Sequence, residues 1–224
     1  VTAPADLPRG ALDLAGALAA QVIDDADSSA GTRLIGVAGG PGSGKSTLAA
    51  ALVAVIRQRR ADLKPALVPM DGFHLPQAEL EARGLAGRKG APETFDPAAL
   101  VAVLDALRAP RSEAVPVPDY DRALHEPVHG RLSVPADCRI VLVEGNWLTL
   151  DSTPWLRVHE RLDALWFLDV PWEACRERLI ARRVATGREP GPARVWVDTV
   201  DAENYWLAHD SSRTADLILT PGTC

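Results

Sequence analysis

The run Gly39-Gly40-Pro41-Gly42-Ser43-Gly44-Lys45-Ser46-Thr47 fits the spacing G-x-x-x-x-G-K-[ST], and each residue type in it has a use in holding a phosphate chain. Glycines let successive backbone N–H groups turn toward one point, and the start of a helix adds the positive end of its dipole. Lys45 can reach the terminal phosphates, and the Ser46 hydroxyl can ligand Mg²⁺. Two carboxylates stand where such a loop could use them. Glu144 closes the apolar run Ile140-Val141-Leu142-Val143 and precedes Gly145-Asn146, which suits an acid that holds magnesium directly or through water. A strand-end carboxylate capping a turn is the plain alternative. Asp71 follows Pro65-Ala66-Leu67-Val68-Pro69-Met70 and could align a hydroxyl that attacks a γ-phosphoryl group and accept its proton. Its alternative is an Asp that merely opens the Asp71-Gly72 turn.

Arginines are dense further on, at Arg176, Arg178, Arg182, Arg183 and Arg188. Phosphoryl transfer gains from a mobile arginine that meets the charge of the leaving phosphate. On a helical wheel Arg178 and Arg182 lie one turn apart on the same side, whereas Arg176 and Arg183 fall near the Trp172/Leu179 stripe, so Arg182 and Arg178 lead. On the acceptor side, Arg88 and the tetrapeptide Asp119-Tyr120-Asp121-Arg122 supply charge and an aromatic face; Tyr120, Asp121 and Arg122 are the substrate candidates, against an exposed loop with internal ion pairs. His125-Glu126-Pro127-Val128-His129 matches H-E-x-x-H, but Pro127 forbids the regular helix that zinc chemistry needs. Trp147 is close enough behind Glu144 to line a pocket.

The elements that must position these groups alternate. Apolar runs at 34–38, 65–70, 139–144, 164–169 and 215–219 read as strands, and helical spacing follows the phosphate loop, recurs at 97–107 and again from Trp172 to about Val184. This is the α/β class, with a parallel sheet covered on both faces. Ligands bind outside the carboxyl ends of such strands, where the loop, Asp71 and Glu144 all fall. Residues 110–137, with Val115-Pro116-Val117-Pro118, carry too much proline for a central strand and read as an extended substrate-side excursion.

With 224 residues and a formal charge of -6, the chain can bury a sizeable core in one domain and shows no basic footprint for nucleic acid. Arg57-Gln58-Arg59-Arg60 suits a helix end. Cys138, Cys175 and Cys224 form no C-x-x-C and no disulfide framework, so a reducing cytoplasm is the expected home. Ala11 to Ile23 is apolar, but flanked by Asp6 and Asp24 and broken by Asp13; it reads as a surface helix within 1–30, and no stretch is long enough for a membrane.

Met70-Asp71-Gly72-Phe73-His74, Arg88-Lys89-Gly90-Ala91-Pro92-Glu93-Thr94-Phe95-Asp96 and Val143-Glu144-Gly145-Asn146, taken with the phosphate loop, resemble the phosphoribulokinase/uridine kinase family over most of the length. The segment Leu75 to Asp96 is similar to type I pantothenate kinase, and the chain as a whole to the nucleoside/nucleotide or fructose-transport-type kinase branch. The resemblance implies a P-loop NTPase fold of three layers, α/β/α, with a five-stranded parallel sheet in the order 2-3-1-4-5, a substrate-side excursion over 72–137, and a lid within Arg178 to Arg188 that with the following helix spans 178–200. It implies Asp71 as base, Glu144 as the acid assisting magnesium, and Mg-ATP as phosphoryl donor to a hydroxyl of a small metabolite such as uridine, pantothenate, a sugar or glycerate. Thr186-Gly187-Arg188 stands where an R-G-R lid would be, and a D-x-F-Y pattern is absent. Related kinases are often oligomers, which makes a homodimer the expectation. A nucleotide switch or energy-transducing ATPase is the competing reading; against it, neither N-K-x-D nor D-x-x-G is present where a switch needs them.

Overall fold

The structure, a computed structural model, describes residues 8–221; Asp6 and Cys224 lie outside them. In chain order the strands are β1 (Arg33–Ala38), β2 (Ala66–Pro69), β3 (Val115–Asp121), β4 (Glu126–Val134), β5 (Ile140–Gly145), β6 (Ala164–Leu168) and β7 (Leu217–Leu219). The helices are α1 (Arg9–Asp27), α2 (Lys45–Arg59), α3 (Gln77–Ala82), α4 (Pro97–Arg108), α5 (Leu156–His159), α6 (Trp172–Ala185), α7 (Pro190–Trp196) and α8 (Ala202–Asp210). Five strands form one parallel sheet, β2-β5-β1-β6-β7, and β3 and β4 form a separate antiparallel hairpin. Counted among the parallel strands alone, the order reads 2-3-1-4-5; the chain numbering differs because the hairpin takes two numbers.

Strand β5 is apolar on both faces because both faces are covered. Val141 and Val143 join Leu100, Leu104 and Leu107 of α4 in one core cluster, while Ile140 and Leu142 join Leu48, Leu52 and Ile56 of α2 and the buried face of α1 in the other. That face is Ala15, Leu18, Ala19, Val22 and Ala26, spaced by three and four as one stripe of a helix. The surface helix expected at 11–23 is therefore present and extends a turn further. Among the described residues no helix is long and apolar enough to cross a membrane. The arginines ending α2 are anchored locally: Arg57 donates to the Pro65 carbonyl, Arg59 to Gly16, and Arg60 to Asp27 and Asp62. Cys138 and Cys175 are buried free thiols.

The segment 110–137 is the main refinement of the sequence reading. Val115-Pro116-Val117-Pro118 is kept out of the central sheet, yet it is a strand, pairing with β4 and interrupted by a register shift between Val117 and Asp119. Prolines are tolerated because this ribbon has free edges. The hairpin docks on the turn after β2, where Gly72 is buried and a Cβ placed on it would lie 2.3 Å from the Pro118 carbonyl oxygen. Both partners are backbone, so neither can yield cheaply. Gly72→Ala is expected to cost about 1–3 kcal/mol by overpacking and to lower the melting temperature by roughly 2–10 °C. Gly87→Ala, with open space at that position, should melt within a degree or two of wild type.

The stretch 178–200, expected as a lid and a following helix, consists of the end of α6, a turn in which Gly187 adopts φ +90°, α7, and most of a π-helical turn at Val197–Asp201 that leads into α8. Two arginines of α6 tie it to that turn: Arg176 Nε to Asp198 Oδ1 at 2.5 Å and Arg183 Nη2 to Asp201 Oδ2 at 3.1 Å.

Candidate active site

The sheet register places the catalytic candidates. β5 lies between β1 and β2; Ala38, one residue before the phosphate loop, is opposite Gly145, and Pro69, two residues before Asp71, is opposite Glu144. The loop, Glu144 and Asp71 thus stand side by side at the carboxyl ends of three neighbouring strands. The chain leaves β2 through a 3₁₀ turn, Met70–Phe73, that carries Asp71.

The loop geometry follows from its glycines. Gly42 and Gly44 adopt φ +78° and +94°, a region that favours glycine. A Cβ on Gly40 would meet the Tyr205 ring at 2.6 Å, and one on Gly42 the Cys175 carbonyl at 2.7 Å, so α6 and α8 press the loop into shape. Arg178 Nη1 donates to the carbonyls of Gly42 and Ser43 at 3.3 Å each, holding those oxygens on the outside of the loop. The first-turn amides of α2, which have no intrahelical acceptor, open on a cleft of about 370 Å³ lined by Lys45, Ser46, Thr47, Arg122, Arg178 and Arg182. Four cations and a helix N-terminus around one cleft make a site for a polyanion.

Ser46 Oγ donates to Glu144 Oε2 at 2.9 Å, and Glu144 is only 5% exposed. Burial raises the Glu144 pKa, with the Asp71 charge adding to the effect, while Lys45 and the Ser46 hydrogen bond oppose it. Burial likewise lowers the Lys45 pKa against the pull of Glu144 and Asp71. A hydroxyl and a carboxylate side by side are hard oxygen donors that fit Mg²⁺, which takes few protein ligands and fills the rest with water and phosphate oxygens. The described residues hold no group of three or more His, Cys, Asp or Glu fit for a metal, in keeping with such a sparse donor set. Glu144→Gln keeps an acceptor for Ser46 and removes the charge. Two opposite results are expected: a melting temperature unchanged or higher, since a buried carboxylate is costly, and a Mg²⁺ requirement for activity about tenfold higher or more, read from a metal titration.

On the acceptor side Asp71 Oδ2 lies 3.6 Å from Arg122 Nη2. His74 Nδ1 is 2.9 Å from the Asp71 carbonyl oxygen, and its ring centroid is 3.9 Å from Phe95 and 4.9 Å from Tyr120. Burial lowers the His74 pKa and pushes the Tyr120 hydroxyl up to about 12, so both are neutral near pH 7. Lys89 Nζ sits 5.5 Å over the Tyr120 ring and donates to Gln77 and to the His125 carbonyl.

The candidates thus separate. The structure brings Lys45, Ser46, Thr47, Arg122, Arg178 and Arg182 to one cleft, with Glu144 bonded to Ser46 and Asp71 paired with Arg122. Arg88 is instead paired with Glu93 at 3.0 Å; the neighbouring Lys89 is the cation that turns toward Tyr120. Asp121 is a hinge pin of the hairpin: its carboxylate accepts from the Ala123 and Leu124 amides and from Arg131, which hold its pKa down at about 2. These bonds engage both of its oxygens within the hairpin. Trp147 is fully buried and donates to the Gly90 carbonyl, so it is core rather than pocket wall. The H-E-x-x-H match falls at the start of β4, where Glu126 accepts from the Gln77 amide. His74 and Lys89 were not singled out by sequence reasoning; their signals were adjacency to Asp71 and to Arg88.

A parallel sheet with a phosphate loop after β1 and carboxylates at the ends of β5 and β2, the next two strands on one side, is the frame of a P-loop kinase, and comparison with known proteins places the chain in that class. The model of the phosphoribulokinase/uridine kinase family matches residues 34–189, more than half of the chain, and the protein belongs to that family. It is 40% identical over 181 residues to the uncharacterized protein YggC of Escherichia coli, covering 80% of this chain and 73% of that one. It is 31% identical over 189 residues to the pantothenate kinase of Corynebacterium glutamicum strain R, covering 82% of this chain and 58% of the relative. The solved structure of a protein of Silicibacter sp. TM1040, provisionally named fructose transport system kinase, superposes with a TM-score of 0.83 at 34% identity, covering 92% and 98% of the two chains.

Proposed function

We propose that the protein transfers the γ-phosphoryl group of Mg-ATP to a hydroxyl of a small metabolite. The observation that carries this reading is the placement of Asp71: one strand over from Glu144 and paired with an arginine that lines the phosphate cleft. A carboxylate there has a use when a hydroxyl must be deprotonated beside the terminal phosphate. The loop amides and Lys45 hold the phosphate chain, and Arg182 and Arg122 offset the charge that develops on it. Ser46 and Glu144 are the residues that would hold Mg²⁺, which, when bound, shields the phosphates and orients the terminal one. The acceptor oxygen forms a bond to the γ-phosphorus, the bond to the β,γ-bridging oxygen breaks, ADP leaves, and the hydroxyl proton passes to Asp71. Tyr120, His74 and Lys89 form the wall nearest the base and would contact the rest of the acceptor. Uridine-like, pantothenate-like and sugar or glycerate acceptors follow from the kinds of kinase that the chain resembles. The test is ADP release from Mg-ATP against uridine, cytidine, pantothenate, fructose, ribose and glycerate, with Asp71→Asn as control. One acceptor raising turnover only when Asp71 is present supports the proposal. Steady hydrolysis indifferent to every acceptor and to Asp71 would point to a nucleotide switch instead.

A further inference from the structure

Arg122 belongs to two sites at once. Its guanidinium lines the phosphate cleft with Lys45, Arg178 and Arg182, and it is also the cation nearest the Asp71 carboxylate, at 3.6 Å. It comes from the hairpin, not from α6, and sits just beyond Asp121, whose bonds to Ala123, Leu124 and Arg131 pin the root of the turn. The side chain itself is 65% exposed. A long side chain on a fixed root, held by one solvated ion pair, moves easily between partners because exposed pairs are weak. Phosphate is the stronger competitor, offering a guanidinium paired oxygens and more charge. In the cleft Arg122 also faces Arg182, whose pKa is lowered by burial and further by the Arg122 charge, so an anion between the two guanidinium groups is favoured. Resting on the kinase reading above, we propose that Arg122 is a positioning residue that couples the two half-sites: it pairs with Asp71 while no phosphate is bound and swings to the terminal phosphate when nucleotide enters, leaving the carboxylate free for the acceptor hydroxyl.

Coupling is reciprocal, so anything that releases Arg122 from Asp71 must tighten nucleotide binding. The test is calorimetric binding of Mg²⁺ with the β,γ-imido analogue of ATP to wild type, Asp71→Asn, Arg122→Ala and the double variant. Expected are binding about fivefold tighter for Asp71→Asn, weaker by about tenfold for Arg122→Ala, and a change of less than about twofold on adding Asp71→Asn to Arg122→Ala. Arg122→Lys, which keeps the charge and loses the fork, should recover part of the affinity. An equal gain from Asp71→Asn in both backgrounds would mean plain removal of a negative charge and would overturn the coupling. So would no gain in either. Wild-type protein that fails to bind the analogue would overturn the kinase reading itself, an outcome distinct from additive effects on intact binding.

Discussion

Asp71→Asn is expected to lower phosphoryl transfer by about 10²-fold or more while nucleotide binding is kept or, with Arg122 released from its pair, tightened. The substitution is nearly isosteric and leaves the 3₁₀ turn at Met70–Phe73 and the His74 bond to the Asp71 carbonyl in place, so the loss falls on the proton-accepting group alone. Binding and turnover separate the roles: loss of a carboxylate used in transfer lowers kcat without weakening the binding of nucleotide. Transfer within a few-fold of wild type would remove Asp71 from the mechanism.

Lys45→Ala should damage both steps. Lys45 lies between the loop and the two carboxylates, with its Nζ 3.5 Å from the Gly40 carbonyl, and it is the one cation lining the cleft that the loop itself supplies. Losing a preorganised cation beside developing phosphate charge costs on the order of 10²–10³ in turnover, and the nucleotide should also bind more weakly. The fold should hold, since the loop backbone is fixed by its glycines and by Arg178 and removal of the ammonium leaves Glu144 with its Ser46 hydrogen bond. A variant that binds nucleotide like wild type but does not turn over would show that Lys45 meets phosphate only in transfer.

What the sequence disclosed depended on distance along the chain. The phosphate loop is local: its strand, glycines and helix are consecutive, and their types alone imply the geometry. Asp71 and Glu144 were legible because a parallel sheet collects strand ends on one side, so an acid after an apolar run has a known place. The wheel separated Arg178 and Arg182 from Arg176 and Arg183, and the structure puts the first pair at the cleft and the second on Asp198 and Asp201. The hairpin was harder. Strand β4, Glu126–Val134, is mostly half-buried or exposed, and its alternation of Val128, Leu132 and Val134 with His129, Arg131 and Ser133 is interrupted by Gly130 and preceded by Pro127, so its pairing with β3 left only a weak periodic signal. The choice of Lys89 over Arg88 as the inward cation turned on which of two adjacent residues faces Tyr120, and the ion pair with Glu93 that decides it is a local accident of that turn. The partners of Asp121 were hidden for a similar reason: acid, aromatic and base in succession read as a binding face, and nothing in that order tells that the carboxylate also accepts from the Ala123 and Leu124 amides and from Arg131.

The pairing of Pro69 with Glu144 and of Ala38 with Gly145 means that the spacing of base, cation site and phosphate loop is set by backbone ladders. Of the groups proposed to face the acceptor, Tyr120 hangs from a ribbon that meets this frame at Gly72 and Pro118, and His74 and Lys89 come from the segment between β2 and α4, outside the sheet. The molecule is therefore divided like a tool with a fixed jaw and a replaceable bit. Sequence drift in the ribbon can alter which alcohol is held without disturbing the atoms that exchange phosphate, and kinases with different acceptors can share one reacting frame.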